Sequence, residues 1–282
     1  PSIWNTWLKS IVPSFILSYF DDMLFGSDNL DQFEEQLTVL CKWLYRFNLT
    51  IRLSKCDFYL KELEFLGYMI SNTRISPSVK TRNNILVLEA PQDHNQCLRL
   101  LGIIGWAGKF IPSLHRYTNE MHEATKTVNK EFIWTQRCDY LLQQIKKIME
   151  SEPYLIPYNE NKKVRIFVDA SSDGIGGVVM QQDEDLEWKP LEYACKKFNN
   201  TQSKGWHATE QELFGILWIC DKARRYILHR DDTQLYCDCQ PVIELMTSNR
   251  GSAKLLRYKY RLFEYIIEYI HLSGKYNYIA DY

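Results

Sequence analysis

Two adjacent aspartates, Asp21 and Asp22, stand inside the apolar and aromatic stretch SYFDDMLF, Ser18 to Phe25. Two like charges so placed repel, and each is costly to desolvate beside apolar surface. Further along, Asp169 ends the apolar run Ile166-Phe167-Val168, and Asp238 ends Leu235-Tyr236-Cys237. Glu210 and Glu212 fall in the first turns of a long amphipathic segment, and Asp281 lies in the terminal NYIADY. A carboxylate at the end of a buried strand is unfavourable unless something positive meets it. Singly, each such Asp reads more readily as a turn former or a helix cap. Jointly they suggest one shared counter-charge. A hard divalent cation such as Mg²⁺ takes oxygen ligands from carboxylates gathered from distant parts of a chain. The chemistry to expect is therefore that of a divalent metal.

Three parts must position these acids. In the first, SFILSY and MLFG read as strands, which places Asp21 and Asp22 at or near a hairpin tip. Ser27 or Asp28 is expected to cap a helix along which Leu30, Phe33, Leu37, Leu40, Leu44 and Phe47 recur at helical spacing, with Asn48 as its stop. LTIRLSKCDFYL and LEFLGYMIS read as further strands, and Gly67 in the second allows a backbone or ligand to approach closely. The second part is mainly helical: SPSVKTRNNILVLEAP, then NQCLRLLGIIGWAGKFIPSL, then Asp139 to Met149. Gly102, Gly105 and Gly108 recur every three residues and are expected to present a face for close packing. SEPYLIPYNENKK, with two prolines among polar residues, reads as a linker. The third part alternates strands and helices as an α/β unit with a mixed sheet. Its long helix carries Leu213, Ile216, Leu217, Cys220, Ala223 and Ile227 on one side.

Composition bounds the alternatives. The chain has 282 residues, 45% of them hydrophobic and 14% aromatic, which suits globular units with their own cores rather than disorder. No apolar run reaches the roughly 18 residues that span a bilayer, so no membrane partner is expected. The eight cysteines form no CxxC pair, which argues against a structural zinc site and for reduced thiols in a cytoplasmic setting. A formal charge of −1 gives no general attraction to nucleic acid, so such a partner would be held by local patches.

The order of the motifs resembles a known family. SYFDD, then the helix, then LSKCDFYLKELEFLGYMIS is similar to the catalytic palm of reverse transcriptases from gypsy-type LTR retrotransposons and related pararetroviruses. That palm carries a Tyr-x-Asp-Asp hairpin, a Lys-Cys-x-Phe strand and a Phe-Leu-Gly hairpin. LLGIIGWAGKFIPSL and FIWTQRC look like the thumb and the segment after it. VDASSDGIGGVVMQ, TEQELFGILW, YCDCQPVIELM and GKYNYIADY are similar to the RNase H domain that follows. The resemblance implies an α+β palm fragment (residues 1–75), a helical thumb (76–150), a linker (151–162) and an α/β RNase H-like domain with a mixed five-stranded sheet (163–282).

The same resemblance implies roles. Asp21 and Asp22 would be the second half of a polymerase metal site, with Tyr19 close to the primer–template and Phe20 where the family commonly has a smaller residue. The family's first catalytic aspartate lies upstream, and no acid precedes Tyr19 here. The chain is expected to begin inside the palm, without its original start, and not to polymerise DNA alone. Asp169, Glu212, Asp238 and Asp281 would hold two Mg²⁺ ions, with Mn²⁺ as a substitute, to hydrolyse the RNA strand of an RNA/DNA hybrid. Glu212 is preferred to Glu210 because the family's glutamate directly precedes the Leu of its helix. His271 reads mainly as a strand residue and secondarily as a helper in proton transfer or product release. The implied partners are hybrid and primer–template. The implied setting is a larger Pol polyprotein with protease and integrase, housed in a virus-like particle and open to homodimerisation.

Basic residues would meet the phosphates. Arg250, Lys254, Arg257 and Lys259 lie in a stretch from Arg250 to Arg261 with five basic side chains and no acid, interleaved with Tyr258 and Tyr260. A solvated helix face is the alternative for these, and equally for Arg52 and Lys55 beside the palm. At the level of function, the alternative is an inactive retroelement remnant that at most binds nucleic acid.

Overall fold

The computed structural model describes residues 13–125, 132–171, 174–248 and 251–272. The chain falls into two compact units, Pro1–Lys61 and Glu62–Tyr282.

In the first unit, strands β1 (Leu17–Tyr19) and β2 (Asp22–Leu24) pair antiparallel, with Tyr19 opposite Asp22. The tip is thus Phe20 and Asp21, while Asp22 already belongs to the ladder. Phe20 has φ 53°, a left-handed conformation rare for a bulky residue. Helix α1 (Leu30–Arg46) begins at Asn29, not at Ser27 or Asp28. The Asn29 carboxamide accepts from the Gln32 amide at 2.9 Å, and the Gln32 side chain accepts from the Asp28 amide at 2.8 Å. The helix stops where expected, at a left-handed Asn48 (φ 53°). Leu40, Trp43 and Leu44 bury against Ile16, and Met23, Phe25 and Phe47 pack around them. The stretch from Leu49 to Leu60, expected as a strand, holds only a short 3₁₀ turn at Leu53–Lys55. Its residues pair with no strand among the described residues, and Tyr59 is left-handed at φ 61°.

The second unit opens with an antiparallel sheet of β3 (Glu62–Phe65), β4 (Tyr68–Ser71) and β5 (Ile75–Pro77). Gly67 is therefore in a turn rather than mid-strand. Leu66 and Gly67 both have positive φ, 53° and 81°, as a two-residue hairpin needs. Helices α2 (Val79–Leu86), α3 (His94–Trp106) and α5 (Gln136–Glu150) are capped by the side chains of Ser78, Asp93 and Thr135. The apolar run expected as one helix breaks after Trp106, and a separate helix α4 (Leu114–Ala124) begins beyond Pro112. Ile85, Leu100, Ile104, Phe110, Met121, Leu142 and Ile145 form the core of this part. Gly102 and Gly105 do not pack closely: both are exposed, and a methyl group at either would meet only open space.

The last part is a five-stranded mixed sheet in the order β10-β9-β6-β7-β8. Strands β6 (Val164–Ala170), β7 (Gly174–Gln182) and β8 (Trp188–Lys197) run antiparallel. Strand β9 (Thr233–Cys237) pairs parallel with β6, and β10 (Ile267–His271) parallel with β9. Helix α6 (Asn200–Gly205) leads into α7 (Ala208–Ile227), whose side bearing Leu213, Ile216, Leu217, Cys220, Ala223 and Ile227 is buried as expected. Helices α8 (Gln240–Thr247) and α9 (Ala253–Leu262) complete that face. The stretch from Ser151 to Lys162, expected as a linker, is fastened along its length. Leu155 exchanges backbone hydrogen bonds with Ile75, Ile156 donates to the Pro190 carbonyl, and the Tyr158 hydroxyl donates to the Tyr226 carbonyl.

Candidate active site

Strand register brings two of the acids together. In the parallel pair β6–β9, Phe167 faces Tyr236, so Asp169, near the end of β6, and Asp238, just past β9, each two residues further on, stand at the same level. Glu212 arrives from α7, one turn into the helix. The three carboxylates each offer an oxygen within 4.8 Å of the others, the one such group of three among the described residues. Asp238 is exposed and Asp169 half-buried, but Glu212 is only 9% exposed.

Burial is the main reason the Glu212 carboxyl is pushed up to about 8; the neighbouring charges of Asp169 and Asp238 add to it, and a hydrogen bond from the Ala170 backbone opposes it. Its Oε2 is buried with no hydrogen-bond partner among the described residues. An unsatisfied buried oxygen in an all-carboxylate donor set fits a hard divalent cation. Glu210 points elsewhere, to an ion pair with Lys254 at 3.2 Å. Asp281 lies outside the described residues.

A further charge at this site was missed in the sequence. Arg116, on α4, places a guanidinium nitrogen 3.3 Å from Asp169 Oδ2. The two are 53 residues apart, and α4 itself went unread, so no local signal pointed to the pair.

The other site residues disperse. Asp21 and Asp22 are exposed on the first unit's hairpin, and no third acid joins them among the described residues. Tyr19, half exposed, sets its ring edge-on to Phe20. Lys55 is exposed. Gly67 accepts at its carbonyl from the Ser78 amide at 2.8 Å and the Thr81 hydroxyl at 3.1 Å. Lys254 holds its ammonium 3.5 Å from the centre of the Trp206 ring, within a cluster that includes Phe214 and Tyr258. Arg257 is exposed. Lys259 is corrected: it is buried, and its ammonium donates to the Ser248 carbonyl at 2.7 Å, so it faces no phosphate. Arg250 lies outside the described residues. His271 is exposed at the end of β10, opposite Cys237.

A mixed five-stranded sheet backed by a long helix, with acids at the ends of two central strands and on that helix, defines an RNase H-like domain. Family models agree: residues 159–265 match the RNase H-like domain found in reverse transcriptase, and residues 2–70 match reverse transcriptase (RNA-dependent DNA polymerase). The retrovirus-related Pol polyprotein from transposon 297 of Drosophila melanogaster is 28% identical over 98% of this chain and 26% of its own length. The transposon Tf2-3 polyprotein of Schizosaccharomyces pombe is 25% identical over 98% of this chain and 21% of its own. The chain thus spans about a quarter of the length of these relatives. The foamy viral protease-reverse transcriptase solved with an RNA/DNA hybrid shares the fold, with a TM-score of 0.74 at 19% identity over 95% of this chain and 37% of that one. A form of it solved with double-stranded DNA gives 0.76 at 19%, over 95% and 47%. Over nearly its whole length the chain is thus similar to retrotransposon Pol polyproteins, and its matched segments are reverse transcriptase and RNase H-like.

Proposed function

We propose that this chain carries the ribonuclease H activity of a retrotransposon Pol polyprotein and cuts the RNA strand of RNA/DNA hybrids. The observation that carries the reading is the convergence of Asp169, Glu212 and Asp238 from three separate elements around a buried, unsatisfied carboxylate oxygen. Asp281 is the proposed fourth ligand. Two Mg²⁺ ions bound there would lower the pKa of an attacking water and stabilise the departing 3′-oxygen. The chain's own part is to hold and orient. Asp169 and Asp238 are fixed by strand register. Glu212 is held, largely buried, by α7 and by the Ala170 amide. Lys254 and Arg257 would lie along the phosphates, with recognition through backbone shape and 2′-hydroxyls rather than base edges.

For the first unit, we propose that Asp21 and Asp22 are polymerase carboxylates that work with an acid from elsewhere in Pol, with Tyr19 and Lys55 beside the primer–template; for Gly67, in the second unit, a nucleic-acid contact is proposed separately. The protein would act within such a polyprotein, in a virus-like particle, and a dimer is compatible with it.

The test is cleavage of a labelled RNA/DNA hybrid with Mg²⁺ by the chain and by Asp238→Asn. Cleavage that falls at least about 10²-fold in the variant supports the reading. Equal cleavage by both overturns the assignment of Asp238 to the site, and none in either while the hybrid still binds favours a remnant that only binds nucleic acid.

A further inference from the structure

We propose that Arg116 is a built-in counter-ion of the Asp169–Glu212–Asp238 cluster, one whose guanidinium opposes entry of a divalent cation. The inference rests on reading that cluster as a metal site. Its geometry is independent of that reading. The Arg116 guanidinium stands 3.3 Å from Asp169 Oδ2, and the two side chains are 43% and 23% exposed, so the pair is only partly screened.

Arginine keeps its charge at any working pH, and its planar fork is suited to a carboxylate. It does not reach Asp169 on a floppy tether. Arg116 lies in the first turn of α4, and Leu114, His115, Thr118 and Met121 of that helix are buried. In the last turn Glu123 pairs with Lys197 of β8 at 2.8 Å. The helix is therefore pinned to the same sheet that carries the acids, and it delivers the guanidinium at one end.

A cation fixed beside Asp169 neutralises part of the charge that draws a second cation in, and it repels that cation directly. Coupling of this kind is reciprocal: if Arg116 weakens metal binding, bound metal weakens the contact of Arg116 with Asp169 to the same degree. Arg116 touches no reacting atom in this account. It acts through Asp169, as a positioning residue that sets how readily the site fills.

The experiment is a Mg²⁺ titration of the full chain by calorimetry, repeated with Mn²⁺ by electron paramagnetic resonance, on the wild type, Arg116→Ala and Arg116→Gln. Both variants are expected to bind the ion more tightly, by roughly 5–20-fold in Kd. Arg116→Lys, which keeps a charge without the fork, should fall between them and the wild type. Glu123→Gln loosens the same helix without touching the acids, and its Kd should stay within about twofold of wild type. In the wild type, Mg²⁺ should speed amide exchange in the first turn of α4.

Unchanged or weaker binding in both Arg116→Ala and Arg116→Gln overturns the proposal. So does an equal gain in Glu123→Gln, because the effect would then come from helix docking rather than from the guanidinium. Asp238→Asn separates the two layers of argument. If it leaves metal binding intact, the metal site itself is wrong. If it abolishes binding while Arg116→Ala changes nothing, only the role of Arg116 falls.

Discussion

Arg230 donates to the backbone carbonyl of Lys162 at 2.7 Å, across a gap of 68 residues. The same guanidinium donates to the Glu160 carbonyl at 2.6 Å and the Tyr158 hydroxyl at 2.9 Å, and it pairs with Asp232 at 2.8 Å. With its side chain 11% exposed, it is the clasp that holds the connection entering β6. Arg230→Ala should cost about 1–3 kcal/mol in urea unfolding, because it removes donors from two backbone carbonyls, a hydroxyl and a partly buried carboxylate. Lys162→Ala, which removes only an ion pair to the exposed Glu184, should cost under about 0.5 kcal/mol.

Glu212 predicts a pH dependence in chelator-treated protein. Its folded carboxyl keeps a proton up to about 8, against an ordinary value of 4.5. Between those values the folded state binds more protons than the unfolded one, so stability must fall as pH rises through that window and level off above it. Melting curves from pH 5 to 8.5 should show a declining Tm. Glu212→Gln should flatten the decline, and Mg²⁺ added at pH 8 should recover much of the loss. A Tm that does not change across the window would contradict the burial of this acid.

Gly67 cannot take a side chain cheaply. Its φ is 81°, and a methyl group there would sit 3.1 Å from Thr81 Oγ1 and 3.2 Å from the Trp106 ring. That ring stacks on Tyr68 with centroids 4.4 Å apart, so it has little room to move. Gly67→Ala is expected to destabilise by about 1–3 kcal/mol in thermal or urea unfolding.

The basic stretch in α9 should split into two behaviours. Lys259→Ala removes a buried donor from the Ser248 carbonyl and is expected to cost about 1–3 kcal/mol of stability. Arg257→Ala should leave stability within about 0.5 kcal/mol. It should instead weaken hybrid binding and lower the slope of log affinity against log salt by about 1. Hybrid binding measured at several salt concentrations, beside unfolding curves, separates the two.

Much of this was legible in the sequence, and the exceptions share a cause. Strand runs such as Ile166-Phe167-Val168 and Leu235-Tyr236-Cys237 announce themselves by their apolar, β-branched and aromatic content, and α7 by its spacing. The acids that follow those strands were visible as anomalies. The stretch from Leu49 to Leu60 was misread because strand-like composition does not form a strand without a neighbour to pair with. Helix α4 was missed because its polar face outnumbers the apolar positions that would have marked it. Lys259 looked like one more surface charge, since sequence alone does not show which of the two nearby lysines, Lys254 and Lys259, turns inward. Arg116 was invisible for a different reason: its partner is distant in the chain, and only tertiary packing of α4 on the sheet brings the two within reach.

The parallel pairing of β6, β9 and β10 also sets an order of events on the ribosome. Asp169 leaves the exit tunnel well before Asp238, an interval on the order of several seconds at roughly 5–20 residues per second. Until β9 emerges, the nascent chain displays β6 with one flank unpaired, and until Ile267–His271 follows, β9 does the same. Such bare edges invite pairing with other chains growing on the same polysome. A sheet ordered this way is most open to mispairing in the interval before Ile267–His271 pairs with β9.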